Sequence, residues 1–343
     1  MRQLEDFERK GNLKMKWKAL LAAAWLWTAL AFGQANTAPT QPQAPGATQQ
    51  THPQNGATPS QAGGTPATPP AGSHRVLQAK TPEEYKAYQD AFAKTDPAQA
   101  EAAADDFAAK FPNSELRASL YTRAMNLYSQ ANNTEKVIIT GRKAIAADPA
   151  NPVPLVQVAS ALAETTRDND LDREQRLAEA AKDAQAAIDN IDTGLLIPPN
   201  ADPAKVEAAK HSILTMAYDT LGMVNMDRND YAVAVTNLQK AISESGATPE
   251  AVLYLRLSVA QDKLQQYAQA LDSANKAVQY AQPGTAAQNL AKQQQERLQK
   301  LISAGGSTNS GGTTPPASAA PTSPAPGSQT TPSPAPTAPT APH

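Results

Sequence analysis

The sequence predicts an all-α chain, a superhelix of about five helix pairs with a C-terminal capping helix, flanked by two disordered tails. Three observations predict it. Tyr218, Leu221, Tyr231, Ala234 and Ala241 recur 36 residues later as Tyr254, Leu257, Tyr267, Ala270 and Ala277, with Gly222 answered by the small Ser258. A fixed-period recurrence of large and small apolar residues marks a stacked array of supersecondary units. No segment carries the period-two alternation of a half-buried strand. Finally, residues 36–73 contain no Asp, Glu, Lys or Arg, and residues 303–343 carry no charged side chain apart from the terminal His343. Ordinary globular chemistry is therefore confined to the middle of the chain.

From the N-terminus, Lys14, Lys16 and Lys18 precede an apolar run from Ala19 to Phe32, broken by Thr28. Small residues at Ala31, Gly33 and Ala35 follow the pattern of a signal-peptidase site, so residues 1–35 read as an export signal and the mature chain as periplasmic, secreted or envelope-associated. The run has fourteen residues, short of the roughly 20 that a membrane span needs. Glu5, Asp6 and Glu8 put acid into a region that should be basic, and translation is expected to start at Met15.

Residues 36–74 and 303–343 are Pro/Thr/Gln and Pro/Thr/Ser/Ala stretches with almost no large apolar side chain. They cannot bury enough surface to offset ordering entropy and read as disordered spacers with polyproline-II character. The same composition suits a glycosylated stalk or a cell-wall tether.

Between them, residues 75–302 carry legible helix punctuation. Thr81-Pro82-Glu83-Glu84 combines an N-cap, a proline at the first helical position and an acidic first turn; Asp96-Pro97 and Asp202-Pro203 repeat the device. Pro112, Pro149 and Pro283 follow Ala-rich runs where helices stop. Helices are expected at 81–94, 98–111, 115–131, 134–148, 152–166, 172–191, 203–228, 231–245, 249–265, 267–281 and 286–302. The last, with Leu290, Leu298 and Leu301 among Gln and Lys, suits a polar cap. Thr165 to Glu174 reads as an insertion in the third pair.

The chain has no Cys and a net charge of −2. That excludes thiolate zinc sites, a thiol nucleophile and a lipidated Cys, and gives no electrostatic argument for nucleic acid. No Gly-rich phosphate loop, serine elbow or metal-spaced His pair appears, so neither enzyme chemistry nor a cofactor is expected. Asp168-x-Asp170-x-Asp172 with Glu179 imitates the spacing of a calcium loop. Arg173 stands where that loop needs Gly, so the segment reads as an acidic loop whose Asp172 caps the next helix, with Gln175 three residues on. His211 reads as solvent-facing, and Asp105-Asp106 as surface charge.

The frame Tyr218-x2-Leu221-Gly222-x8-Tyr231-x2-Ala234-x3-Leu238-x2-Ala241 resembles the tetratricopeptide repeat (TPR), and Tyr121, Tyr128 and Ala144 keep it in an earlier copy. The first pair, ending Phe107-x3-Phe111-Pro112-Asn113-Ser114, is similar to repeats of bacterial envelope proteins, the β-barrel assembly lipoprotein and the Tol–Pal-associated coordinator of cell division. The resemblance implies that the first helix of each pair lines a concave groove. Carried over, the groove positions are Arg123 and Asn126; Met216, Asp219, Met223 and Met226; and Arg256, Val259 and Lys263. Arg123, Asn126 and Arg256 supply only fragments of the family's clamp for acidic peptide tails, so that ligand does not follow. Met216, Met223 and Met226 share one helix face and fit either inter-repeat core or an apolar groove. The resemblance implies a non-catalytic scaffold holding a protein or peptide in the envelope. The alternative is a structural spacer whose tails contact peptidoglycan or glycan.

Overall fold

The computed structural model describes residues 77–197, 201–247 and 249–305. The export segment, the first tail and all of the second beyond residue 305 lie outside these residues; the last helix takes in Ser303, which the sequence places in the tail. Among the described residues the secondary structure is wholly helical: α1 Pro82–Phe92, α2 Pro97–Lys110, α3 Leu116–Gln130, α4 Thr134–Ala147, α5 Pro152–Thr165, α6 Arg173–Asp189, α7 Pro203–Asp227, α8 Tyr231–Glu244, α9 Ala251–Lys263, α10 Tyr267–Tyr280 and α11 Ala286–Ser303. Each helix packs on the next, and the odd-numbered helices also pack on one another, α1 on α3 and so on to α11. The result is a helical-repeat superhelix whose odd helices form a continuous layer. No helix among the described residues is long and apolar enough to cross a membrane.

The punctuation works as the side chains dictate. Thr81 Oγ1 accepts from Glu84 N at 3.1 Å and Glu84 Oε2 accepts from Lys80 N at 2.6 Å, a reciprocal cap. Asp96 and Asp202 cap α2 and α7 in front of their prolines. Asp172 does not cap α6: no cap bond leaves its side chain, because Asp170 instead receives Arg167 N at 2.8 Å and turns the loop ahead of the helix.

The turns between α3 and α4, α7 and α8, and α9 and α10 share one device. Asn132, Asn229 and Gln265, each eleven residues after the first Tyr of its repeat, adopt left-handed backbone at φ 55°, 62° and 60°. Behind them Asn133, Asp230 and Gln266 donate their N–H groups five residues back, closing the helix ends. Asn tolerates this conformation; Gln has no local compensation for it. Gln265→Gly is therefore expected to raise the unfolding free energy by about 0.5–1 kcal/mol, read as a higher urea midpoint at unchanged slope.

Helix approach within a pair is governed by an exchange of sizes. A Cβ on Gly222 would lie 2.8 Å from Leu238. In the next repeat the same two places hold Ser258 and Ala274, and the freed space lets Ser258 Oγ donate to Ala270 O at 2.7 Å. In the earlier repeat the order inverts: Met125 is the large residue and Gly141 the small one, and a Cβ on Gly141 would lie 2.9 Å from Met125 Sδ and 2.3 Å from Val158. All six positions are buried. Each contact holds either one large side chain against a glycine or two small ones, so the two positions vary together.

A second repeated contact lies outside. Lys143, Lys240 and Lys276, each 22 residues after Tyr121, Tyr218 and Tyr254, stand over those rings at 5.6, 5.2 and 5.9 Å. At the N-terminal end Phe92, Tyr88, Phe107 and Phe111 meet in that order in tilted and edge-on contacts, with successive centroids 5.0–6.4 Å apart. The link between α6 and α7 also packs: Leu195 and Ile197 are buried with Val206, and Gly194 lies so close to Ala150 O that no Cβ fits.

Candidate interaction surface

The groove positions lie on α3, α7 and α9 of the odd-helix layer, and they divide into two kinds. Arg123 is engaged structurally. Its Nη2 donates to Lys94 O at 3.0 Å and its guanidinium stands 4.4 Å from the Phe92 ring centre, clasping α3 to the end of α1. Met216, Met223 and Met226 are half-buried: each packs with one side against a different core cluster and keeps the rest of its surface in solvent. Asn126 and Val259 are half-buried, and Val259 belongs to none of the core clusters of the described residues. Lys263 is exposed at the last turn of α9.

Asp219 and Arg256 are buried, 2% and 4% exposed, and hydrogen-bonded to each other through Oδ2 and Nη1. Two further carboxylates share their field. Glu164, on the last turn of α5, accepts from Ser160 Oγ at 3.4 Å; Glu250 is the N-cap residue of α9, and its side chain makes no cap bond. Burial pushes Glu164 up to about 7, with the Asp219 charge adding to it and Arg256 opposing it. Burial and the Asp219 charge likewise push Glu250 up to about 7. Asp219 itself is raised by burial against the pull of Arg256. Spacing could not reveal this cluster, because it joins α5, α7 and α9 at positions that the 36-residue period does not relate.

A contrasting hub ties the first two pairs. Glu101 accepts from Tyr128 Oη, Lys136 Nζ and Lys143 Nζ at 2.8, 2.9 and 3.0 Å. Burial raises its pKa, but these three donors outweigh burial and bring it down to about 2. Asp105, which sequence reading placed as surface charge, accepts from Tyr121 Oη at 2.9 Å and from Lys143 at 2.8 Å. It links α2, α3 and α4 rather than standing alone.

No protein-family model matches the chain, and no curated protein matches it in sequence. Its function must be read from its own surface.

An open pocket lies where the α5–α6 loop meets the α7–α8 turn, lined by Asp168, Arg173, Glu174, Asp227, Arg228 and Asn229. The Arg173 guanidinium sits inside it, paired with Asp168 at 3.8 Å and with Glu174, and donating to Asp227 O. A positive side chain thus stands against the first of the calcium-loop positions, and among the described residues no group of His, Asp or Glu is placed to hold a metal. His211 is exposed and bonds through Nδ1 to Glu244 at 2.8 Å.

The two carboxylate sets have opposite linkage. Glu164, Glu250 and Asp183, the last raised to about 6 by burial and Glu179, bind protons more tightly folded than unfolded. Their contribution is complete below the unfolded values and is lost as pH rises through the folded ones. Glu101 is depressed, so its contribution is present above its unfolded value and lost as pH falls toward about 2. Urea unfolding across pH should therefore give greatest stability between about pH 4 and 5 and a decline toward pH 8, below the usual optimum.

Proposed function

We propose that the chain is an exported, non-catalytic TPR protein of the bacterial cell envelope that holds a protein or peptide partner along its odd-helix layer. The observation that carries this reading is the layer itself. Consecutive odd helices pack on one another and leave half-buried Asn126, Met216, Met223 and Val259 along it. Half-buried apolar positions next to ordered polar ones give an extended segment both area to bury and bonds to make. The resemblance of the 218–241 and 254–277 segments to TPR copies, and the export-type N-terminus, support the placement.

Pull-down from envelope extract with residues 75–302 against the full-length chain tests it. Partners retained by the array alone support the binding module. Partners lost with the tails favour the spacer role, in which Pro-rich segments contact peptidoglycan or glycan. Val259→Lys sharpens the experiment: its side chain packs into no core cluster, so the variant is expected to melt as the parent does and to lose the partner. An unchanged partner set would remove α9 from the binding face.

A further inference from the structure

The polar cluster between α5, α7 and α9 has more acceptor capacity than the chain itself uses. Arg256 Nη1 donates to Asp219 Oδ2, and Glu164 and Glu250 lie within the field of this pair. Among the described residues Asp219 Oδ1 has no hydrogen-bond partner, nor has Thr215 Oγ1, one helical turn earlier on α7. Both residues are more than nine-tenths buried, at 2% and 6% exposure. Buried polar groups without a partner are costly. Asp219 Oδ1 can only accept and the Thr215 hydroxyl can accept as well as donate, so the two, on one helix face beside excess negative charge, suit a donor brought from outside. Glu164 and Glu250 are half-buried, so they are the members of the cluster that reach the surface.

We propose that this cluster is a recognition pocket for a single lysine side chain of the extended partner segment. The proposal rests on the reading of the odd-helix layer as a binding face. An ammonium group suits the pocket better than a guanidinium: it is a compact charge with three freely directed donors, and the acceptors here come from separate side chains rather than one planar fork. Asp219 Oδ1, Thr215 Oγ1 and one of the half-exposed carboxylates supply three acceptors. Arg256 fixes the Asp219 carboxylate and offsets one of three negative charges, leaving the pocket two negative charges in excess when all three carboxylates are ionised. Protons occupy part of this capacity near neutrality in the empty protein, since Glu164 and Glu250 are raised to about 7. Entry of an ammonium favours their ionised forms, so binding releases protons.

Calorimetry on the full-length chain decides the matter, with an acetylated, amidated alanine peptide carrying one central lysine, its norleucine counterpart, and spermidine. The lysine peptide is expected to bind with proton release, to tighten about tenfold from pH 6 to pH 8, and to outbind the norleucine peptide by about tenfold. Glu164→Gln and Glu250→Gln should each weaken it severalfold while melting at or above the parent temperature at pH 8, so that lost binding is not lost folding. Equal binding of lysine and norleucine peptides, or unaltered binding by both Gln variants, overturns the pocket yet leaves a groove. Spermidine binding without peptide binding overturns the assignment to a peptide. No lysine-peptide binding at millimolar concentration overturns the pocket outright, whereas the pull-down above independently decides whether the face binds a partner at all.

Discussion

Replacing Arg256 with leucine is expected to destabilise the array by about 3–5 kcal/mol at pH 8, because it strands a buried carboxylate. Asp219 is 2% exposed and its Oδ2 depends on Arg256, while Oδ1 has no partner among the described residues. Glu164 and Glu250 feel the same guanidinium, so its removal leaves three acidic groups with no cation among them. The loss should shrink in acid, where protons replace the missing charge. Arg256→Leu combined with Asp219→Leu should recover most of the stability, since removing both partners of a buried pair is far less costly than removing one. Urea unfolding of the parent, the single and the double variant at pH 5 and pH 8 measures all of this. Equal destabilisation at the two pH values would show that Arg256 acts by packing alone.

Gly222→Met is expected to cost about 3 kcal/mol, the upper part of the range for overpacking a well-filled helix contact. A single Cβ there already meets Leu238 at 2.8 Å. Leu238→Gly is expected to cost at least as much, through a cavity and a helical glycine. Together the two changes install the Met125–Gly141 arrangement of the earlier repeat. The double variant should then lose less than the singles added, by about 2 kcal/mol or more. Additive losses in denaturant unfolding would mean that the two sites do not share one space.

The helices were legible because their signals are local. Thr81-Pro82, Asp96-Pro97 and Asp202-Pro203 are caps whose bonds close within a few residues, and the apolar period reports each buried face directly. Asn132, Asn229 and Gln265 were equally open to reading, since all three stand eleven residues after a repeat Tyr. The candidate surface was legible only by helix. Position in the repeat assigns Asp219 and Arg256 to the odd layer, but it cannot say that they cover each other; Asp219 plus one period is Leu255, one residue short of Arg256. The size exchange was hidden for a related reason. Comparing copies position by position shows Met125, Gly222 and Ser258 as mere variation, and only the opposing Gly141, Leu238 and Ala274 reveal that the two positions vary together.

That exchange bears on how such a chain can change its length. Recombination between the fourth and fifth copies, with the junction between the two helices of a hairpin, would fuse α7 to α10 or α9 to α8. The first hybrid sets Gly222 against Ala274, leaving a void; the second sets Ser258 against Leu238, where even a Cβ would press into the leucine. Gain or loss of repeats costs least when the junction falls between hairpins, so that each partner travels with its own complement. The heritable unit of this array is therefore the hairpin, and divergence between its copies acts as a barrier to their reshuffling.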